Sequence, residues 1–200
     1  MIVHLAGAPG SGKTTIAKQV LKDGWIIYDL DDLNKEFVES NNLIQLTRTN
    51  PKKLTAMYQE HIDTLVQQAQ AQKQSILFVG INSGILGADV GKFPINVHAD
   101  HKVLLNVDTA QNARLWIQRD LPEVLDTFTT VLKQEVQDYK KLEQREAEVV
   151  RSYNKWFFSI MRDFRPSQRK ADIIRFKKFY YRLGYTPMIP SRFKTWFQGL

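Results

Sequence analysis

Residues 7–15 read GAPGSGKTT and follow the apolar run IVHLA at residues 2–6. A short buried strand, a glycine-rich turn and then the helical spacing of Ile16, Val20 and Leu21 give the order strand, loop, helix. Gly7, Gly12, Lys13 and Thr14 satisfy the spacing G-x-x-x-x-G-K-S/T. Glycine lets backbone N–H groups turn inward on an anion without a Cβ in the way, and a helix start places its positive end on the same anion. Gly7, Ala8, Pro9, Gly10, Ser11, Gly12, Lys13, Thr14 and Thr15 are therefore expected to hold nucleotide phosphates. Within them, Lys13 reaches the β- and γ-phosphates and the Thr14 hydroxyl ligates Mg²⁺.

Outward from this loop, WIIYDL (residues 25–30) reads as a second strand and SILFVGI (75–81) as a third, with HKVLLNVD (101–108) as a fourth. Between them, Leu54, Tyr58, Ile62, Val66 and Ala69 repeat at helical spacing. Strands alternating with helices predict an α/β chain: a doubly wound parallel sheet of four or five strands flanked by helices. YTPMIP (185–190) is a poor fifth strand on sequence grounds, because Pro187 and Pro190 interrupt it. Beyond Pro122, apolar residues from Phe128 to Val150 predict a second long helix, separated by a break from the one at residues 109–120. The expected organisation is a core over residues 1–150, with a lid-like stretch near 119–127, and a helical, basic C-terminal segment over 151–200 that packs on or extends it.

Composition bounds the rest. An apolar fraction of 43% and a charged fraction of 24% are those of a globular protein. There is no cysteine, hence no disulfide or thiolate site. No run approaches the ~20 apolar residues of a membrane span, and the N-terminus carries no secretory leader; a cytoplasmic or intraviral location is expected. The net charge of +7 is uneven: residues 1–150 hold 16 Lys and Arg against 19 Asp and Glu, residues 151–200 hold 12 against 2. The same last segment carries 13 of the 22 aromatic residues. Cations mixed with rings suit nucleic acid, and equally an acidic lipid or protein surface; the plainer reading is that the rings are core and the cations a solvated face.

MIVHLAGAPGSGKTTIAKQVL with IIYDLDDLNKEF a few residues on resembles the small P-loop kinases, among them nucleoside and nucleotide kinases, shikimate-type and zeta-toxin-like kinases and polynucleotide 5′-kinases. The resemblance is good over residues 1–40, moderate over 75–120 and absent beyond. It implies a P-loop NTPase-type fold and transfer of the γ-phosphoryl of ATP, with Mg²⁺, to a nucleoside, a nucleotide or a polynucleotide 5′ end. Strand ends on the phosphate-loop side of a parallel sheet line one crevice, so carboxylates after strand two face the γ-phosphate. Asp31 is the first candidate for the base that takes the acceptor's proton and Asp32 the second, with Asp29 still in the strand. The alternative for this cluster is helix N-capping. Arg114 and Arg119 occupy the place where such kinases carry lid arginines, and Arg119 is the stronger candidate for the transferring charge.

Strand three ends in Asn82 rather than the aspartate of a hydrolytic motor. Asn82 and Ser83 either bond the acceptor or serve as turn residues. His98 and His101 do not form a metal-ligand pattern, and His4, alternating with core residues, is expected to be buried and hydrogen-bonded. A reading from another class remains: a nucleotide-binding switch or ATPase module that docks on nucleic acid or an acidic partner through its C-terminal segment.

Overall fold

A computed structural model of the chain describes residues 1–86, 88, 91–139, 155, 157–159, 161–162 and 164–200, without the side chains of residues 128 and 131–139. The elements are β1 (Ile2–Ala6), α1 (Lys13–Val20), β2 (Trp25–Asp29), α2 (Leu30–Ser40), α3 (Leu46–Thr49), α4 (Pro51–Ala71), β3 (Ser75–Val79), β4 (His101–Leu105), α5 (Thr109–Tyr139), α6 (Pro166–Arg182), β5 (Thr186–Met188) and α7 (Pro190–Gln198). Five strands form one all-parallel sheet in the order β2-β3-β1-β4-β5. The chain divides into two compact units, one of Met1–Val107 with Arg175–Leu200 and the other of Asp108–Ile174.

In the first unit the sheet is covered on both faces, and the strand alternation sorts the residues. Val3, Leu5, Leu77, Val79, Val103 and Leu105 meet Ile16 and Ala17 of α1 and Phe193 and Phe197 of α7. Ile2, Ile76 and Phe78 point the other way, onto Tyr58, Ile62 and Val66 of α4. A strand buried on both sides has no polar face to present, which is why these segments read as unbroken apolar runs. The predicted stripe of α4 is the buried one, and Asn50 caps that helix by accepting the Lys53 N–H at 3.1 Å.

YTPMIP does supply the fifth strand, contrary to expectation. β5 lies at the sheet edge and pairs only with β4, with Leu104 opposite Pro187. The Met188 carbonyl accepts from Asn106 N at 2.8 Å. In a parallel strand each residue turns its N–H and C=O to one side and its neighbour turns the other way. The nitrogen of Pro187 therefore faces away from β4, where a missing N–H costs no ladder bond.

The boundaries also differ from those expected. The units divide at Val107 and Arg175, not at residue 150, because β5 and α7 complete the sheet and its cover. The part of the C-terminal segment from 175 onward is thus core rather than extension. Nor is there a loop over 119–127: α5 runs on through Pro122 to Tyr139, and the periodicity expected from 140 to 150 lies outside the described residues. Pro122 removes one main-chain bond, and a helix of this length retains those on either side.

His4, on β1, is wholly buried. Its Nε2 lies 3.2 Å from the Gly80 carbonyl, which can only accept, so Nε2 carries the proton and Nδ1 accepts from the Tyr185 hydroxyl at 2.5 Å. Burial is the main reason the pKa falls to about 4; the Gly80 bond opposes the shift and the Lys102 charge adds to it. The unfolded chain takes up this proton near pH 6.5 and the folded chain only near 4, so stability is full above 6.5 and declines as the pH drops to about 4. The expected loss from this residue is about 3 kcal/mol. Urea unfolding between pH 7 and 4 should show the decline in the wild type and a flatter profile in His4→Gln; equal slopes would remove His4 as the cause.

Candidate functional site

The residues 7–15 loop joins β1 to α1 at the carboxyl end of the sheet. Gly12 precedes the helix with φ +78°, a conformation that L side chains rarely adopt. Gly7 is needed for a different reason: a Cβ there would stand 2.5 Å from Ser11 Oγ. The loop closes with Ser11 N donating to the Ala8 carbonyl at 3.0 Å. Lys13, the first helical residue, is 8% exposed, an unusual burial for a lysine. Ser11 is buried as well, and its Oγ finds no hydrogen-bond partner within the protein. A buried cation, an orphaned hydroxyl and the start of α1 thus gather at one loop.

β2 brings the acidic cluster to the same place. Asp29, its last residue, accepts from Thr14 Oγ1 through Oδ2 at 2.9 Å and from Asp31 N through Oδ1 at 3.1 Å. The capping and site readings of this cluster coexist in one residue: Asp29 is the N-cap of α2 and the partner of the loop threonine. Asp31 and Asp32 occupy the first turn of α2 and are exposed. Asp31 is nevertheless close enough for its charge to act on two buried phenols. Tyr58 and Tyr180 are both pushed upward, first by burial; Asp31 and then Asp29 add to the effect on Tyr58, and after Tyr185 Asp31 adds to that on Tyr180. Both phenols therefore remain protonated donors. Tyr58 gives its proton to the Leu30 carbonyl at 3.1 Å and Tyr180 to Asn82 Oδ1 at 2.7 Å.

That last bond settles what Asn82 does. Its side-chain oxygen accepts from Tyr180, its main-chain N–H donates back to the same hydroxyl at 3.3 Å, and its amide donates to the Ile95 carbonyl at 3.1 Å. Ser83 Oγ is bonded to the Ile85 carbonyl and N–H. Both residues hold the loop after β3 in shape, and Asn82 ties it to α6.

Arg114 and Arg119 belong to the second unit, on exposed positions of α5. Asp120 holds Arg119: its Oδ1 accepts from Arg119 Nε at 2.5 Å, and its Oδ2 accepts from Trp116 Nε1 at 2.7 Å. Arg119 is an interior residue of a continuous helix, not the end of one. Asp108 caps α5 by accepting from Ala110 N and Gln111 N.

The residues present fit Mg²⁺. This ion takes one or two carboxylates together with substrate phosphates and water rather than a cage of side chains. Thr14 and Asp29, already 2.9 Å apart, would hold it. The sequence left open which carboxylate of the 29–32 cluster meets Thr14; the structure puts Asp29 there. The chain matches no family model and no curated protein. No described helix is long and apolar enough to cross a membrane.

Proposed function

We propose that this chain is a P-loop kinase, moving the γ-phosphoryl group of ATP to a hydroxyl or phosphate of a nucleoside, a nucleotide or a polynucleotide 5′ end. The observation that carries the reading is the Thr14–Asp29 contact at 2.9 Å, which joins the glycine-rich loop of one strand to the acidic cluster of another. A glycine-rich loop alone binds phosphate; the neighbouring carboxylates give the site a means of handling an acceptor.

The loop N–H groups and Lys13 bind the phosphates, and Lys13 meets the charge that spreads over the transferring group. Bound Mg²⁺ would neutralise the β- and γ-oxygens, with Thr14 and Asp29 as its protein partners. The acceptor oxygen attacks phosphorus, its proton passes to the carboxylate of Asp31, and ADP leaves with the electrons of the broken P–O bond. Tyr58 bonded to the Leu30 carbonyl, and Tyr180 bonded to Asn82, hold the structure near Asp31 in place. The lack of a carboxylate at the end of β3 supports transfer over motor-type hydrolysis, since no acid stands there to activate water.

Incubating the protein with γ-labelled ATP and a panel of nucleosides, nucleotides, 5′-hydroxyl oligonucleotides and small hydroxyl compounds tests this. Label should move to at least one member. Steady ATP hydrolysis with no labelled acceptor would favour the switch or ATPase reading instead.

A further inference from the structure

Residues 175–200 contain six Lys and Arg and no Asp or Glu. The structure separates these cations from the rings among them. Phe176, Tyr180, Tyr185, Phe193 and Phe197 are buried in the first unit. Lys178, Tyr181 and Arg182 of α6 are exposed. Lys178 and Arg182 stand one turn apart, so their charges share a face about 6 Å apart along the axis, with the Tyr181 ring beside them.

α6 ends at Arg182, and Gly184, with φ +80°, turns the chain into β5. Gly184 also lines a cavity of about 360 Å³, walled by Asp100, His101, Lys102, Thr186 and Trp196. The His101 and Trp196 rings meet edge to face at 5.4 Å, and Asp100 Oδ2 accepts from Ile2 N at 2.7 Å. Asp100, His101 and Gly184 lie at the amino ends of β4 and β5, whereas the residues 7–15 loop leaves the carboxyl end of the parallel β1. The cavity is therefore at the opposite end of the sheet from the phosphate loop and serves none of the chemistry assigned above.

We propose that single-stranded nucleic acid binds along this surface, with phosphates on Lys178, Arg182 and Lys102 and one base in the cavity against Trp196. Cations that follow a backbone and a ring that accepts any base are the two parts such a site requires. The cavity volume falls within the range of small-ligand pockets, about 300–1,000 Å³, and the Asp100 carboxylate offers an acceptor to a base N–H. A lipid surface is the poorer match. An interfacial helix sinks a broad apolar face into the bilayer; on α6 Phe176 and Tyr180 are turned into the protein, and the exposed Tyr181 and Leu183 stand among cations rather than on such a face. This binding goes beyond phosphoryl transfer and does not depend on it.

The test is fluorescence anisotropy of a labelled short oligothymidylate with the full chain and no nucleotide, between about 50 and 200 mM salt. The wild type should bind with an affinity that falls with salt. Lys178→Ala with Arg182→Ala should weaken binding about tenfold or more at the low end and make the log–log salt slope shallower by about 1.4, the share of two phosphate contacts on a single strand. Thr186→Trp fills the cavity from an exposed position and should weaken binding without altering the slope; thermal melts confirm that each variant is folded. Unchanged affinity and slope in the double variant overturn the proposal. So does a wild type that ignores the oligonucleotide, whether or not it binds phosphatidylserine vesicles.

Discussion

Replacing Lys13 with methionine is expected to lower phosphoryl transfer by about 10³-fold while leaving the chain folded. The physical basis is the burial of Lys13, which is 8% exposed and stands at the start of α1. A charge held out of bulk water acts on a neighbouring anion through a lower effective dielectric, so its removal costs far more than the loss of a surface ion pair. Methionine keeps most of the length and the apolar stem, so packing against the loop survives and the comparison isolates the charge. Single-turnover transfer of labelled phosphate, with a thermal melt as control, measures the effect. A variant within tenfold of the wild type would mean that the loop does not hold the reacting phosphates.

The second large effect separates two carboxylates that lie two residues apart. Asp29→Asn keeps a side-chain oxygen able to cap α2, because asparagine caps as well as aspartate does, but it loses the charge beside Thr14. The expected result is a Mg²⁺ requirement raised about tenfold, with transfer largely restored at saturating metal. Asp31→Asn should instead lower transfer by 10²–10⁴-fold at every Mg²⁺ concentration, the usual worth of a positioned base, and abolish the rise of rate with pH that an ionising carboxyl produces. Titrating Mg²⁺ against rate for both variants distinguishes them. If Asp29→Asn were the variant that metal fails to rescue and Asp31→Asn the one it restores, the two roles would be exchanged; if neither lost activity, the cluster would be a helix cap alone.

Much of the site was legible because it is local. The spacing of Gly7, Gly12, Lys13 and Thr14 specifies a loop conformation through backbone sterics, and those four residues are close in the chain before the protein folds. The acidic cluster was legible as a cluster but not in its order. Telling Asp29 from Asp31 required knowing which carboxylate reaches Thr14, a contact between residues 15 apart that pairing of β2 and β1 with β3 creates. Asn82 stayed ambiguous for the same reason. Its partner Tyr180 is 98 residues away, and nothing near either residue in the chain points to the other.

The glycine-rich turn of residues 7–15, the strands β1 to β4, the buried stripe of α4 and the burial of His4 could all be read locally, since each follows from steric rules or apolar periodicity over a few neighbouring residues. Long-range packing was needed to make TPM at residues 186–188 a strand, to bring residues 175–200 into the first unit, and to set Asp29 against Thr14. Those outcomes depend on which strand lies at an edge and which side chains meet across the sheet. A proline that would break a central strand is tolerated at an edge, and a carboxylate acquires its role from a neighbour that the local sequence does not contain.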